Sequence, residues 1–557
     1  MSKFFYQDGP ASVPNTFDGN RWLKPYLQFK LPKDMFAHIE GDLHRLGQLC
    51  ATEYAEYGRQ AEREKPSQVG NEIQVSTAWR KLHEISALEG LIAIGYRRAH
   101  GEFSRLHQFS KLYLFHPSSA FYTCPLAMAD GAARVLEIHG REVVHKNAFS
   151  HLTSDSPQEF WTSGQWMTEK AGGSDVSNTE TEARLENGEF RLYGTKWFSS
   201  ATTSEVALAL ARVQGASAGS RGLTLFMVPL IKSDGSLNNI EVLRLKDKMG
   251  TKALPTAELE LKGTLAYQVG EREQGVKTVA TMLNVTRLYN SVCSTGQMTR
   301  ALEQLREFAK KRKVFGATLD SQVLHYGTFA QEEIKNLASF LLTMEVAHLL
   351  GKDECVTASP TDAALLRLLT PITKLYTARA SVEVASQVIE GFGGAGYIED
   401  TGVAVHLRDS QVFPIWEGAT NVLSLDLLRV MANKAAMQSL SDSVCEKLNL
   451  VTAPEIKPFC EELTKTTLTQ FVKELAAFEA QPDQIKMASS RELAFFIARM
   501  YAYVLLLNWA GHAEPKVGQG LLPWIEIYKR SYLGSWKVKA PENCEFERRI
   551  MDGSLTV

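Results

Sequence analysis

Neither sign of charge dominates this chain: 61 Lys and Arg against 63 Asp and Glu leave a formal net charge of −2 over 557 residues. A global basic field of the kind that holds nucleic acid or anionic lipid without sequence preference is therefore excluded. The seven cysteines (Cys50, Cys124, Cys293, Cys355, Cys445, Cys460 and Cys544) are scattered, odd in number and never spaced Cys-x-x-Cys. That argues against a disulfide framework or a zinc site and for free thiols in a reducing compartment. No metal site is expected, since His83-Glu84 lacks the second His four residues after the first. Long apolar runs are missing too. Tyr501 to Trp509 and Ala338 to Leu350 are too short or too interrupted to cross a bilayer. The N-terminus has Asp8, Asp18, Pro10 and Pro14 in place of the apolar run of a secretory signal, and it is not the Arg-rich, acid-poor leader of a mitochondrial protein. The expected location is intracellular, in the cytoplasm or mitochondrial matrix.

What is present is length enough for several cores and a periodicity that changes twice. Residues 1–163 read as an irregular arm and an α-helical domain, with apolar residues at helical spacing in Met35 to Tyr57 and Ala78 to His100. Residues 164–272 read as a β domain: Glu189 to Tyr193, Val206 to Leu210 and Leu223 to Val228 are short strand-like runs. Ala257 to Lys262 alternates as a half-buried strand would. Residues 273–435 return to the helical period, with faces marked by Val285 to Phe308, Ile334 to Met344, Leu365 to Val388 and Val422 to Leu428. The third of these faces admits a kink at Pro371, and the four together predict a bundle. Residues 436–557 form a further helical domain, with a gap at Gln481-Pro482 and a turn-rich stretch at 510–523. The fold class is α+β and multidomain.

Two motif matches fail on context. Gly215-Ala-Ser217-Ala-Gly219 fits a nucleophile elbow but lies between two strands, where a hairpin loop is expected. Gly391-Phe-Gly393-Gly394-Ala-Gly396 fits a dinucleotide fingerprint but follows a long helix and no βαβ unit. Three other segments carry chemistry. Met167 to Val176 combines small residues, which let backbone amides approach a flat or anionic ligand, with the hydroxyls of Thr168 and Ser174. Lys196-Trp197-Phe198-Ser199 offers a stacking surface followed by a hydroxyl. Glu417, between Trp416 and Gly418 and preceded by apolar residues, is a carboxylate whose desolvation would raise its pKa and suit it to accept a proton. The same residues also read as a helix start capped by Thr420 or Asn421.

Taken in order, these segments resemble the acyl-CoA dehydrogenase family. Thr168 to Val176 is similar to its flavin-binding signature and Lys196 to Ser199 to its second flavin wall. Lys246 to Gly250 with Pro255 to Leu259 is similar to its strand region, and Lys311 to Gly316 to the segment whose Arg reaches the FAD diphosphate of a neighbouring subunit. Phe392 to Tyr397 and Arg408 to Asn421 follow in family order. The resemblance covers about 160–435 well and the N-terminal helices loosely. The Trp-Glu-Gly sequence and the long helical tail look most like the AidB-like branch, which is linked to alkylation damage.

The resemblance implies an N-terminal helical domain, a β-sandwich or barrel, a four-helix bundle and an extra helical domain. It implies FAD held by Met167, Thr168, Gly173, Ser174, Trp197, Ser199, Arg312, Phe315, Glu390, Gly393, Gly394 and Asn421. An acyl-CoA would contact Ser174, Arg287, Trp416 and Gly418, with Glu417 as the catalytic base. Some members carry the base on the first bundle helix; Thr286 and Arg287 stand there in this chain, with no carboxylate beside them. The implied reaction is α,β-dehydrogenation of a medium- to long-chain fatty acyl-CoA. A homotetramer, a dimer of dimers with FAD near the subunit interfaces, is implied, and Trp197 is compatible with an electron-transfer flavoprotein partner. Three residues depart from the family pattern: Glu390 for the usual Gln, Val314 for a hydroxyl residue and Ala419 for Thr. These leave open an acyl-CoA-sequestering flavoprotein with little turnover. A DNA-associated protein is the second alternative, disfavoured because residues 441–557 hold 14 Lys and Arg against 15 Asp and Glu.

Overall fold

The computed structural model describes residues 13–232, 234–551 and 554, so Asp8 and Pro10, which bear on the leader argument, lie outside the described residues. The N-terminal region is helical. The periodic segment Met35 to Tyr57 breaks into Lys33–Ala51 and Glu53–Arg63. The segment from Ala78 stops as Thr77–Leu88 at Gly90, whose φ of +60° ends the helix, and a short Ala93–Arg97 follows. Ser104–Phe115 is buried on every face. Its charges are neutralised by neighbours: Arg105 bonds Asp130 at 2.8 Å and Glu354 at 2.6 Å.

The chain then turns to β structure: β1 (Ser163–Trp166), β2 (Glu182–Glu186), β3 (Glu189–Ser200), β4 (Val206–Val213), β5 (Leu223–Pro229), β6 (Ile240–Leu245) and β7 (Thr256–Val269). Strands β4, β2, β3, β7 and β5 pair in that order, and β5 pairs back onto β4, closing a five-membered ring. β1 lies parallel on β4, and β6 lies on β7. Strand β7 differs from the half-buried reading of Ala257 to Lys262. It is paired along both edges, with β3 on one and with β6 and then β5 on the other, and side chains on both of its faces are buried; Glu258 is accommodated by Arg244 at 2.7 Å and Lys246 at 2.6 Å. The Gly215–Gly219 segment is the loop between antiparallel β4 and β5.

The bundle comprises α1 (Gly275–Lys311), α2 (Val323–Glu354), α3 (Pro360–Phe392) and the shorter α4 (Thr420–Met431). Helix α3 runs on through Pro371. The N-cap of α4 is Ala419, with no side-chain cap, so neither Thr420 nor Asn421 takes that role.

In the tail, Lys434–Asn449 is followed by further short helices, α5 (Asp483–His512) and α6 (Pro515–Tyr528). The stretch read as turn-rich is largely α6: Pro515 occupies its first turn, and Leu521, Ile525 and Tyr528 bury one face despite Gly518, Gly520 and Pro523. Helix α5 has the length and hydropathy of a membrane span, but 89% of its apolar window is buried inside the fold. It is a core helix. Tail, bundle and N-terminal region meet at Glu345, which bonds Lys30 at 3.0 Å and Lys447 at 2.8 Å.

Candidate active site

The loop after β1 is shaped by a buried ion pair. Glu169 and Gly172 exchange backbone bonds of 3.2 and 3.1 Å, folding Lys170 and Ala171 into a tight turn with Gly172 at φ +154°. The Glu169 carboxylate points inward and accepts Lys196 Nζ at 2.7 Å, Thr181 Oγ1 at 2.5 Å and the Glu180 amide at 2.6 Å. Burial alone would raise this carboxyl, but Lys196 and these donors outweigh it and hold it below its ordinary range. The Trp197 amide donates to the Thr168 carbonyl at 3.0 Å. The two segments expected to wall the flavin, Met167 to Ser174 and Trp197 to Ser199, are therefore stitched together. Lys246 stands 3.6 Å from the centroid of the Trp197 ring and fixes its face.

A flat, hydroxyl-bearing cofactor such as FAD fits these residues. A Cβ on Gly173 would come within 2.7 Å of the Thr168 hydroxyl, so only glycine lets the backbone pass here. Among the described residues, the buried hydroxyls of Ser199 and Thr202 have no hydrogen-bond partner. Phe198 is more than half exposed beside them.

Glu417 lies on the bundle side, and Gln165 of the strand leading into this loop reaches it. The segment before it is anchored to the β domain: Asp409 accepts the Thr251 amide at 2.6 Å, and Gly250 passes so close to Arg408 that a Cβ would fall 2.4 Å from its carbonyl. Phe413 and Trp416 pack against Phe121, with centroids 5.3 and 5.9 Å away. The chain then turns through two consecutive left-handed residues, Glu417 at φ +56° and Gly418 at φ +106°. For a glutamate that conformation is strained, and it persists because its surroundings hold it. Arg287 Nε donates to the Glu417 carbonyl at 3.3 Å and Lys374 Nζ to the Gly418 carbonyl at 2.6 Å. The Glu417 carboxylate accepts the Thr286 hydroxyl at 2.6 Å. Burial raises its pKa above the ordinary glutamate value, opposed by Thr286, by Arg287 and Lys374, and by the amide of Gln165 on β1. Gln165 thus faces the carboxylate from the strand that leads into the Met167–Ser174 loop.

The predicted residues fall into three groups. Met167, Thr168, Gly173, Ser174, Trp197 and Ser199 form the β-domain wall, with Ser174 exposed at its rim. Glu417, Trp416, Gly418 and Arg287 form the bundle side, although the Arg287 guanidinium is also committed to Asp426 at 3.1 Å, which Arg367 shares at 3.0 Å. Arg312, Phe315, Glu390, Gly393 and Gly394 are not brought to either. They lie at the far end of the bundle, about 24 Å along α3 from Lys374 at the standard helical rise. There Phe315 is fully exposed at the tip of a two-residue hairpin, with φ +50°. Asn421 stands apart as well, its Oδ1 accepting Arg491 of α5 at 2.8 Å. Sequence reasoning missed Gln165, Lys374, Asp426 and the stacked Lys246. A lysine inside the apolar run from Leu365 to Leu375 was the one available signal.

Two family profiles match the chain: "Acyl-CoA dehydrogenase, middle domain" over 164–264 and "Acyl-CoA dehydrogenase, C-terminal domain" over 273–432. Acyl-CoA dehydrogenase family member 11 of Caenorhabditis elegans is 41% identical over 533 residues, covering 92% of this chain and 86% of that protein. The solved structure of C. elegans ACDH-11 in complex with C11-CoA superposes with a TM-score of 0.94 at 37% identity, covering 100% of this chain and 98% of that one. AidB of Escherichia coli is 27% identical over 448 residues, 79% of this chain and 80% of that protein. These values overturn the expectation that the AidB-like branch is the nearest. A long helical tail does not discriminate between tailed relatives, whereas identity along the whole chain favours the ACDH-11-like protein.

Proposed function

Because the chain belongs to the acyl-CoA dehydrogenase family of oxidoreductases, we propose that it oxidises a fatty acyl-CoA of medium to long chain at the α,β bond, with Glu417 as the base. The observation that carries this reading is the Glu417 carboxylate itself, half-buried on a left-handed turn and met by Gln165 of the strand that leads into the Met167–Ser174 loop. Bound FAD supplies the acceptor for the β-hydride. The protein's share is positional and electrostatic. Glu417 takes the α-proton, and its raised pKa narrows the gap to the weakly acidic carbon. Lys374 and Arg287 tie down the carbonyls of the turn, which fixes the direction of the carboxylate. The wall from Met167 to Ser199 would hold the isoalloxazine, with Trp197 at its edge, where an electron-transfer flavoprotein would collect electrons.

The distant group containing Arg312, Phe315, Glu390, Gly393 and Gly394 would serve the flavin of a neighbouring copy. That is consistent with a dimer of dimers, and the exposed Phe315 supports it. The C11-CoA held by C. elegans ACDH-11 supports a chain of about that length. One observation favours the alternative of an acyl-CoA-sequestering flavoprotein: Arg491 engages the oxygen of Asn421, a side chain expected to contact the cofactor. Anaerobic titration of the flavin-loaded protein with acyl-CoAs of increasing length separates the two. Length-dependent bleaching of the flavin supports dehydrogenation, and binding without bleaching supports sequestration.

A further inference from the structure

Lys374 lies in the middle of α3 and is completely buried. Among the described residues it forms no ion pair; its one hydrogen bond is the 2.6 Å contact to the Gly418 carbonyl. A buried ammonium with no carboxylate in contact is costly, and the apolar run around it would accept a leucine or methionine more readily. The amine nonetheless sits where the Glu417–Gly418 turn exposes two consecutive carbonyls to the interior. Arg287 covers the first and Lys374 the second. Without them the left-handed pair of residues would be free to relax, since nothing in its own backbone favours φ +56° at a glutamate.

We infer that Lys374 is a positioning residue for the reaction: its bond to the Gly418 carbonyl locks the turn that aims Glu417, and its amine joins Arg287 in keeping the Glu417 carboxylate ionised inside the fold. This rests on the reading of Glu417 as the base. Two charges act on the amine, Glu417 from the turn and Arg287 from α1, while Asp426 of α4 is occupied by Arg287 and Arg367. Burial pulls the Lys374 pKa down to about 7; Glu417 opposes that pull and Arg287 adds to it. The hydrogen bond survives deprotonation, because a neutral amine still donates. The charge does not. The support given to the Glu417 carboxylate therefore weakens as pH rises through neutrality.

The test compares Lys374→Met, Lys374→Gln and Lys374→Arg with the parent as full-length, flavin-loaded protein. Lys374→Met is expected to lower kcat by about tenfold or more with little change in KM, and to move the acid limb of the pH–rate profile up by about one unit, the size of a lost opposite charge. Lys374→Gln keeps a donor but not the charge, so the limb moves while more of kcat is retained. Lys374→Arg restores the limb. A readout that needs no turnover is infrared difference titration of the carboxyl band that Glu417→Gln abolishes: its midpoint should rise in the Met and Gln variants and not in Arg. If Lys374→Met does not fold, Lys374→Gln carries the test. An unmoved carboxyl midpoint and acid limb in Lys374→Gln overturn the inference, as does an arginine variant that titrates like the methionine one. Should Glu417→Gln keep its turnover, it is the base assignment that falls, and the infrared titration still decides whether Lys374 governs the carboxyl.

Discussion

The Thr286 hydroxyl donates to the Glu417 carboxylate at 2.6 Å, joining two residues 131 positions apart in the chain. A donor to a carboxylate favours its ionised form, so this bond counters the burial that raises the Glu417 pKa. Replacing Thr286 by Val removes the donor at nearly constant volume. We predict that the acid limb of the pH–rate profile then moves to higher pH by roughly half a unit to one unit. The rate at mildly acid pH should fall while the rate at alkaline pH is kept. Rapid-mixing measurement of flavin bleaching between pH 5 and 9 checks this.

Glu417→Gln keeps the shape and hydrogen-bonding capacity of the side chain and loses the proton acceptor. The expected outcome is intact flavin binding with dehydrogenation slowed by about 10²- to 10⁴-fold, the usual contribution of a general base. The same variant carries a stability signature. A carboxyl whose folded pKa is raised contributes stability that is complete below its unfolded pKa and is lost as pH rises through the folded value. Glu417→Gln should therefore melt at or above the parent temperature at neutral pH, with the difference vanishing near pH 4. A lower melting temperature at pH 7 would mean that the ionised carboxylate stabilises the fold.

Lys196 is completely buried and divides its donors between Glu169 at 2.7 Å and the Leu210 carbonyl at 2.8 Å. Removing it strands Glu169 inside the loop proposed to wall the cofactor. Lys196→Met is predicted to cost about 3–5 kcal/mol in a denaturant titration, and to weaken flavin retention on gel filtration. The paired change Lys196→Met with Glu169→Leu should recover much of the stability, because no charge is left buried, but not the flavin, because the loop loses the carboxylate that folds it.

How far these sites can be read from sequence follows from the range of the contacts that build them. The β-domain wall is legible because its residues are close in the chain: Thr168 and Trp197 are joined by one backbone bond across adjacent segments. The burial of the Glu417 carboxylate and its raised pKa are legible from its aromatic and glycine neighbours. Thr286, Lys374 and Gln165 reach it from a different helix or strand each, and no local pattern encodes such a meeting. Strand β7 looks half-buried because Glu258 and Glu260 alternate with apolar residues; the partners of Glu258, Arg244 and Lys246, sit on or just beyond the neighbouring strand. Helix α6 reads as turns because two glycines and Pro523 mimic turn chemistry, while tertiary packing of Leu521, Ile525 and Tyr528 decides the conformation. Local resemblance puts Asn421 with the cofactor, and the structure gives its oxygen to a tail arginine 70 residues away.

The tail's attachment can be tested at Glu345, where one buried carboxylate of α2 bonds Lys30 from the N-terminal region and Lys447 from the tail. Burial would raise its pKa, but the two lysines outweigh that and hold it far below the ordinary range. Its depressed pKa means the stability it contributes is present above about pH 4.5 and is lost as pH falls below that. Glu345→Gln removes the charge, leaving two ammonium groups facing each other in the core. The expected loss is about 3–5 kcal/mol at pH 7, shrinking as pH is lowered because the parent then loses its own carboxylate. Because the lysines come from different regions, the variant should also loosen the tail. Hydrogen exchange is predicted to quicken in Lys434–Asn449 and α5 before it quickens in the β ring. Uniform acceleration across the chain would instead mark Glu345 as a general core contact, with no special hold on the tail.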